Sequence, residues 1–121
     1  MTNESKPERA PAGTGPAGRR LWTAILSEYD LEEHELLLLR ESVRTVDLLD
    51  SLEATVKAEG TVIDSPQGRK AHPAAVEARQ QRIALARLLT ALRLPAGEEG
   101  GDRRPQRRGG VRGVYGIAGA V

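Results

Sequence analysis

One long segment without a helix-breaking residue dominates this sequence. No glycine or proline occurs between Asp30 and Gly60. Asp30 is a candidate N-cap, Glu33 completes a capping box with it, and Gly60 is a typical C-terminal stop. We therefore predict a helix of about 29 residues, or roughly 43 Å. Its apolar positions recur at the helical spacings of three and four: Leu39, Val43, Val46, Leu49, Leu52 and Val56.

Shorter elements flank this predicted helix. Leu21, Trp22, Ile25, Leu26 and Tyr29 have the spacing of an amphipathic helix. After Gly60, turn residues at 65–68 separate two short segments, which predicts a short hairpin or an extended arm. Pro73 suits the first turn of a last helix that runs to about Arg93 and ends before Pro95. The predicted fold is mainly α, with a short N-terminal helix, one long central helix, the arm and a C-terminal helix.

Composition divides the chain into three parts. All fifteen leucines lie between Leu21 and Leu94, whereas residues 1–18 and 97–121 are rich in glycine or proline. Segments with so few apolar residues cannot offset the entropy of ordering. We predict a flexible tail at 1–18, a helical domain at 19–95 and a flexible Gly/Arg-rich tail at 96–121.

The predicted central helix is too long for its neighbours to cover. Uncovered amphipathic length usually packs against another subunit, so we expect a homo-oligomer. Val76 and Ile83 are seven residues apart and lie off the main apolar arc of the last helix, which suggests a contact with a neighbouring copy. Three residues of the central helix are further candidates for this interface: Leu39, Val43 and Val46.

The net charge of +1 hides a strong segregation. Residues 28–64 hold eleven acidic and three basic residues, whereas residues 65–96 hold six basic residues and one acidic residue. This asymmetry indicates either a nucleic-acid partner or complementary surfaces of adjacent subunits. The alternative for the basic helix face is a solvated surface with ion pairs to the acidic central helix of a neighbouring subunit. The candidate DNA-binding residues are Arg69, Lys70, Arg79, Arg82, Arg87, Arg103, Arg104, Arg107 and Arg108.

Catalytic and metal-binding signatures are lacking. There is no cysteine, His34 and His72 are 38 positions apart, and no phosphate-binding loop or nucleophile elbow occurs. Asp47 and Asp50 form a carboxylate pair, but a two-metal nuclease needs further acids from other elements. We expect a protein that is not an enzyme and has no cofactor or metal. The longest apolar run, Leu36 to Leu39, is far too short to span a bilayer, so we expect no membrane partner.

An ordered set of short motifs resembles the phage terminase small subunits over residues 19–95. The set begins with the Leu21–Leu31 pattern and the long helix containing Thr45-Val46-Asp47. It continues with Gly60, the turn at 65–68, His72-Pro73, and the stretch from Ala78-Arg79-Gln80-Gln81 to Leu94-Pro95. Where many relatives have Asn before the proline, this chain has His72, which we interpret as a capping variation.

The resemblance implies a non-enzymatic component of genome packaging. Such a subunit forms a ring, binds double-stranded viral DNA and regulates a separate large subunit that holds the ATPase and the nuclease. It would act in the cytoplasm of the bacterial host. No convincing recognition helix is evident, so we expect contacts mainly with the phosphate backbone.

Other functions fit parts of the sequence. A helical homo-oligomeric adaptor without DNA binding would use the long helix for a protein partner and the arginines for solubility. A small nuclease is a third class, which Mg²⁺ and plasmid DNA would reveal. Residues 111–121 are either a docking segment for the large subunit or a tail without that role.

Overall fold

The structure is a computed structural model that describes residues 8–95 and the backbone of residues 107 and 108. Within that part, the helices are α1 (Pro16–Leu26), α2 (Glu33–Glu59) and α3 (Pro73–Leu92). The strands are β1 (Tyr29–Asp30), β2 (Val62–Ser65), β3 (Gly68–Ala71) and β4 (Arg107–Arg108). β2 and β3 form a hairpin, and β1 pairs with β4 in an antiparallel arrangement. The mainly helical prediction is confirmed.

The core lies along one end of α2, where α1 and α3 pack against it. Trp22 and Ile25 of α1 contact α2, and Leu92 closes the core from the end of α3. Leu39 and Val43 of α2 lie at the centre and have no solvent exposure. The apolar periodicity of the sequence includes both of these buried positions.

The first helix begins before the predicted domain boundary. α1 starts at Pro16, where the carboxylate of Asp47 accepts hydrogen bonds from the amides of Gly15 (2.6 Å) and Gly18 (2.8 Å). Gly18 is buried because α2 approaches closely: a Cβ there would lie 2.6 Å from Oδ2 of Asp47. The Trp22 indole donates to the carbonyl of Glu8 (3.0 Å). The boundary at 18/19 is therefore too late, and packed structure extends back to about residue 8.

The predicted cap of the long helix is displaced by two residues. Glu32, rather than Asp30, is the N-cap of α2, and Glu35, rather than Glu33, completes the capping box. The Glu35 carboxylate accepts from the amide of Glu32 at 2.7 Å. Asp30 instead belongs to the extended β1 pair, and Tyr29 lies beyond the end of α1.

The hairpin between α2 and α3 has a two-residue turn at one end and a backbone hydrogen bond that closes its base at the other. Ser65 pairs with Gly68 across the turn, and Gly68 has φ +114°, a conformation that favours glycine. At the base, the His72 amide donates to the carbonyl of Thr61 (2.8 Å). The His72 ring accepts from the amide of Ala74 (2.9 Å), so it is the N-cap of α3, as its position before Pro73 suggests. The hairpin alternative of the sequence prediction is the one observed.

Candidate nucleic-acid interface

The outward face of α3 carries two arginines that form no salt bridge within the described residues. Arg79 and Arg87 are exposed, and neither is in a salt bridge with the described part of the chain. Eight helical residues separate them, or about 12 Å along the axis. Ile83 lies between them and is 44% exposed. This face therefore combines two available guanidinium groups with an apolar centre.

Two other predicted DNA-binding arginines already have acidic partners. Arg82 forms an ion pair with Glu53 of α2. Arg69 pairs with Asp64 across the hairpin at 3.6 Å, with both side chains mostly exposed. The Arg82 pair joins α3 to the acidic central helix within one chain, whereas the alternative interpretation places such pairs between subunits. The Arg69 pair is local to the hairpin. Both arginines are consequently weaker candidates for phosphate contact than Arg79 and Arg87.

The hairpin cannot direct both of its basic residues at one surface. Its register places Arg69 opposite Asp64 and Lys70 opposite Ile63. Directly opposed residues share a face of a two-stranded sheet, and successive residues alternate between faces. Arg69 and Lys70 therefore project from opposite faces, and Lys70 is exposed without an ion pair among the described residues.

Of the predicted DNA-binding arginines in the C-terminal tail, the structure describes only the backbone of Arg107 and Arg108. Arg103 and Arg104, like the segment 111–121, lie outside the described residues. The backbone of Arg107 and Arg108 pairs with β1, with Arg107 opposite Asp30 and Arg108 opposite Tyr29. This pairing brings the double-arginine segment next to the acidic start of α2, an arrangement that local sequence patterns do not indicate.

The candidate interface residues separate into three groups. Val76 and Ile83 are 42% and 44% exposed on α3, so they are accessible to a second copy. Val46 is half-buried. Leu39 and Val43 are fully buried in the protomer core, so their assignment to an oligomer interface is wrong. They pack beneath α1 and α3, which cover that face of the long helix.

Two leucines on α2 are exposed, although they lie outside the apolar positions that the sequence periodicity indicates. Leu37 is 54% exposed and Leu48 is 44% exposed. The sequence does indicate that one leucine of the run from Leu36 to Leu39 is exposed. Successive helical residues are about 100° apart, so four consecutive leucines cannot all face one core. In the run from Leu36 to Leu39, Leu36 and Leu39 are buried and Leu37 faces outward.

Comparisons with protein-family models, with curated proteins and with solved structures find no match. Among the residues that the structure describes, no group of three or more His, Asp and Glu side chains could hold a metal ion. In the same part of the chain, no helix has the length and apolarity that a membrane span requires. The carboxylate of Asp47, one half of the predicted acidic pair, is engaged at the start of α1.

Proposed function

We propose that this chain is a small terminase subunit, a non-catalytic homo-oligomer that recognises viral DNA and regulates a large ATPase/nuclease subunit during genome packaging. The observation that carries the proposal is the pair of exposed arginines on α3, Arg79 and Arg87, which have no ion pair among the described residues. The ordered motif resemblance over residues 19–95 gives the biological context. The proposed site of action is the cytoplasm of the bacterial host, and the proposed assembly is a ring.

The proposed contact is with the phosphate backbone of duplex DNA. Guanidinium groups bind phosphate oxygens through strong, charge-assisted hydrogen bonds. Lys70 on the adjoining hairpin and the arginines of the C-terminal tail would extend the basic surface along the duplex. Phosphate contacts carry no sequence information, so selection of a packaging site would require further contacts or DNA shape.

Salt dependence of binding tests this proposal. We expect Arg79→Gln/Arg87→Gln to weaken duplex binding and to reduce the slope of log K against log salt concentration by about 2, near 0.9 for each lost phosphate contact. Fluorescence anisotropy with a labelled duplex measures both quantities.

The matched control is Arg69→Gln/Arg82→Gln, which removes the same charge from arginines that already have acidic partners. The control should keep the wild-type slope. Equal losses in the two variants would show that only net charge matters and would contradict a phosphate contact at Arg79 and Arg87.

A helical homo-oligomeric adaptor without DNA binding is the second candidate function. The observation that favours it is the exposed apolar pair Val76 and Ile83 beside Arg79, since mixed apolar and arginine surfaces are common at protein interfaces. A wild type that does not bind a duplex at low ionic strength would favour the adaptor. Duplex binding that is lost when Arg79 and Arg87, and then also the tail arginines, are replaced would reject it. The tail set is Arg103, Arg104, Arg107 and Arg108.

A further inference from the structure

An exposed strip runs along the side of α2 that α1 and α3 leave uncovered. Its central residues are Leu37, Glu41, Arg44 and Leu48, and all four are exposed. Glu41 and Arg44 form an ion pair within the helix at 2.6 Å, yet each keeps more than half of its side-chain surface in solvent. Two leucines at the ends and two opposite charges in the middle therefore define the strip.

The strip has the spacing of a coiled-coil seam. Outward positions alternate at intervals of three and four residues, which is the a/d pattern of a heptad repeat. The seam covers most of the 27 residues of α2. His34, Leu37, Glu41, Arg44, Leu48, Ser51, Thr55 and Ala58 occupy these positions, and all are exposed except the half-buried Thr55.

The chemistry of the strip is self-complementary when it meets a copy of itself running in the opposite direction. With the symmetry axis between residues 42 and 43, Leu37 faces Leu48 of the second copy. Glu41 likewise faces Arg44 of the second copy, and each contact occurs twice. An isologous interface requires this property, in which one residue contacts another and the reverse contact also forms.

Other arrangements of the same two helices are less favourable. A parallel pair in register opposes Glu41 to Glu41 and Arg44 to Arg44, and like charges in contact repel. An antiparallel pair centred on Leu37 opposes Glu33 to Glu41, and one centred on Leu48 leaves Leu37 facing Glu59. Only the axis between residues 42 and 43 matches both leucines and both charges.

We propose that two copies of this chain associate through an antiparallel α2–α2 contact centred between residues 42 and 43. The inference deepens the proposed function and rests on it only in requiring that copies assemble. An isologous contact closes at two subunits. A larger ring therefore needs a second contact, for which Val76 and Ile83 on α3 are available.

Charge reversal tests the contact. Glu41→Arg opposes two arginines in each half of the interface, so we expect the dimer dissociation constant to rise about tenfold or more. Arg44→Glu should act similarly, and Glu41→Arg/Arg44→Glu should restore association. An equimolar mixture of the two single variants should form a heterodimer, because every charged contact is then between opposite charges. Sedimentation velocity measures each dissociation constant.

Cysteine cross-linking determines whether the two α2 helices are antiparallel. The chain has no cysteine of its own, so any disulfide must join the introduced residues. Leu37→Cys mixed with Leu48→Cys should form a disulfide between copies. Leu37→Cys alone should not, because the two positions would lie about 16 Å apart along the axis. Val62→Ser controls for the loss of an exposed apolar residue elsewhere, on the hairpin, and should leave association unchanged.

Several results would overturn the antiparallel contact. These are disulfides in Leu37→Cys alone, wild-type association of Glu41→Arg, or a monomeric wild type at micromolar concentration. None of these measurements includes DNA. A dimer that forms as described but does not bind a duplex would reject the proposed function and leave this contact standing.

Discussion

At the scale of single residues, Asp47 connects two helices that are distant in sequence. Its carboxylate accepts both amides at the start of α1, where unpaired N–H groups and the helix dipole favour an anion. We expect Asp47→Ala to reduce the free energy of unfolding by about 2 kcal/mol, since both donors lose their partner. Urea denaturation measures the change. Asp50→Ala removes an exposed carboxylate one helical turn away and should change stability by less than about 0.5 kcal/mol.

His72 is the second capping residue whose effect can be measured. Its Nδ1 accepts from the Ala74 amide, and its Nε2 lies 2.7 Å from Oε1 of Glu59 at the end of α2. We expect His72→Ala to lower stability by about 1 kcal/mol, and His72→Asn to retain most of it because Asn is a favourable N-cap. Thermal unfolding followed by circular dichroism compares the three proteins. Equal losses in both variants would contradict the capping role.

These two residues differ in how far the sequence alone predicts them. His72 stands directly before Pro73, so its capping position follows from local order along the chain. Asp47 acts on Gly15 and Gly18, about 30 positions earlier, and no local pattern indicates such a contact. The scarcity of apolar residues in 1–18 predicts a flexible tail that includes Gly18. The structure instead requires glycine there because α2 approaches closely.

At the scale of elements, the hairpin depends on its turn. Gly68 has φ +114°, which a residue with a side chain rarely adopts. We expect Gly68→Ala to loosen the pairing of β2 with β3 while the helices remain intact. Hydrogen exchange at the hairpin amides should accelerate by about tenfold, with little change in helical circular dichroism. Gln67→Ala, at the neighbouring turn residue, is the control and should exchange at the wild-type rate.

Capping motifs alone do not determine the residue at which α2 begins. Two acidic pairs with capping-box spacing overlap, Asp30 with Glu33 and Glu32 with Glu35, and both precede an apolar run. Aspartate is the stronger N-cap by preference. The pairing of β1 with β4 keeps Asp30 extended, so the helix begins two residues later. Which of the two capping boxes forms therefore depends on the pairing of β1 with β4, a segment nearly eighty residues away.

At the scale of the whole molecule, the protomer has a small core. Among the described residues, the buried apolar side chains are Trp22, Ile25, Leu36, Leu39, Val43, Ala78 and Leu92. Small domains often gain stability from assembly. We expect the Tm of the wild type to rise by several degrees over a hundredfold increase in protein concentration, because association stabilises only the folded state. Differential scanning fluorimetry across the series measures this rise. A Tm independent of concentration would contradict assembly.

The sequence predicts the helical architecture well and the surfaces less well. Periodicity places Leu39 and Val43 on an apolar face of the long helix, but it does not reveal whether the same chain or a second copy covers that face. The partners of Arg69 and Arg82 depend on the hairpin register and on the packing of α3 against α2. Such pairings arise from tertiary structure, and they reduce the candidate phosphate contacts on the helices and hairpin to Lys70, Arg79 and Arg87.

The closed base of the hairpin has a practical consequence. The end of α2 and the start of α3 lie side by side, because His72 contacts both Glu59 and Thr61. The geometry of the helices is therefore independent of the length of the arm beyond that base. An epitope or fluorophore-binding peptide inserted between Pro66 and Gln67 should therefore leave the helical body intact.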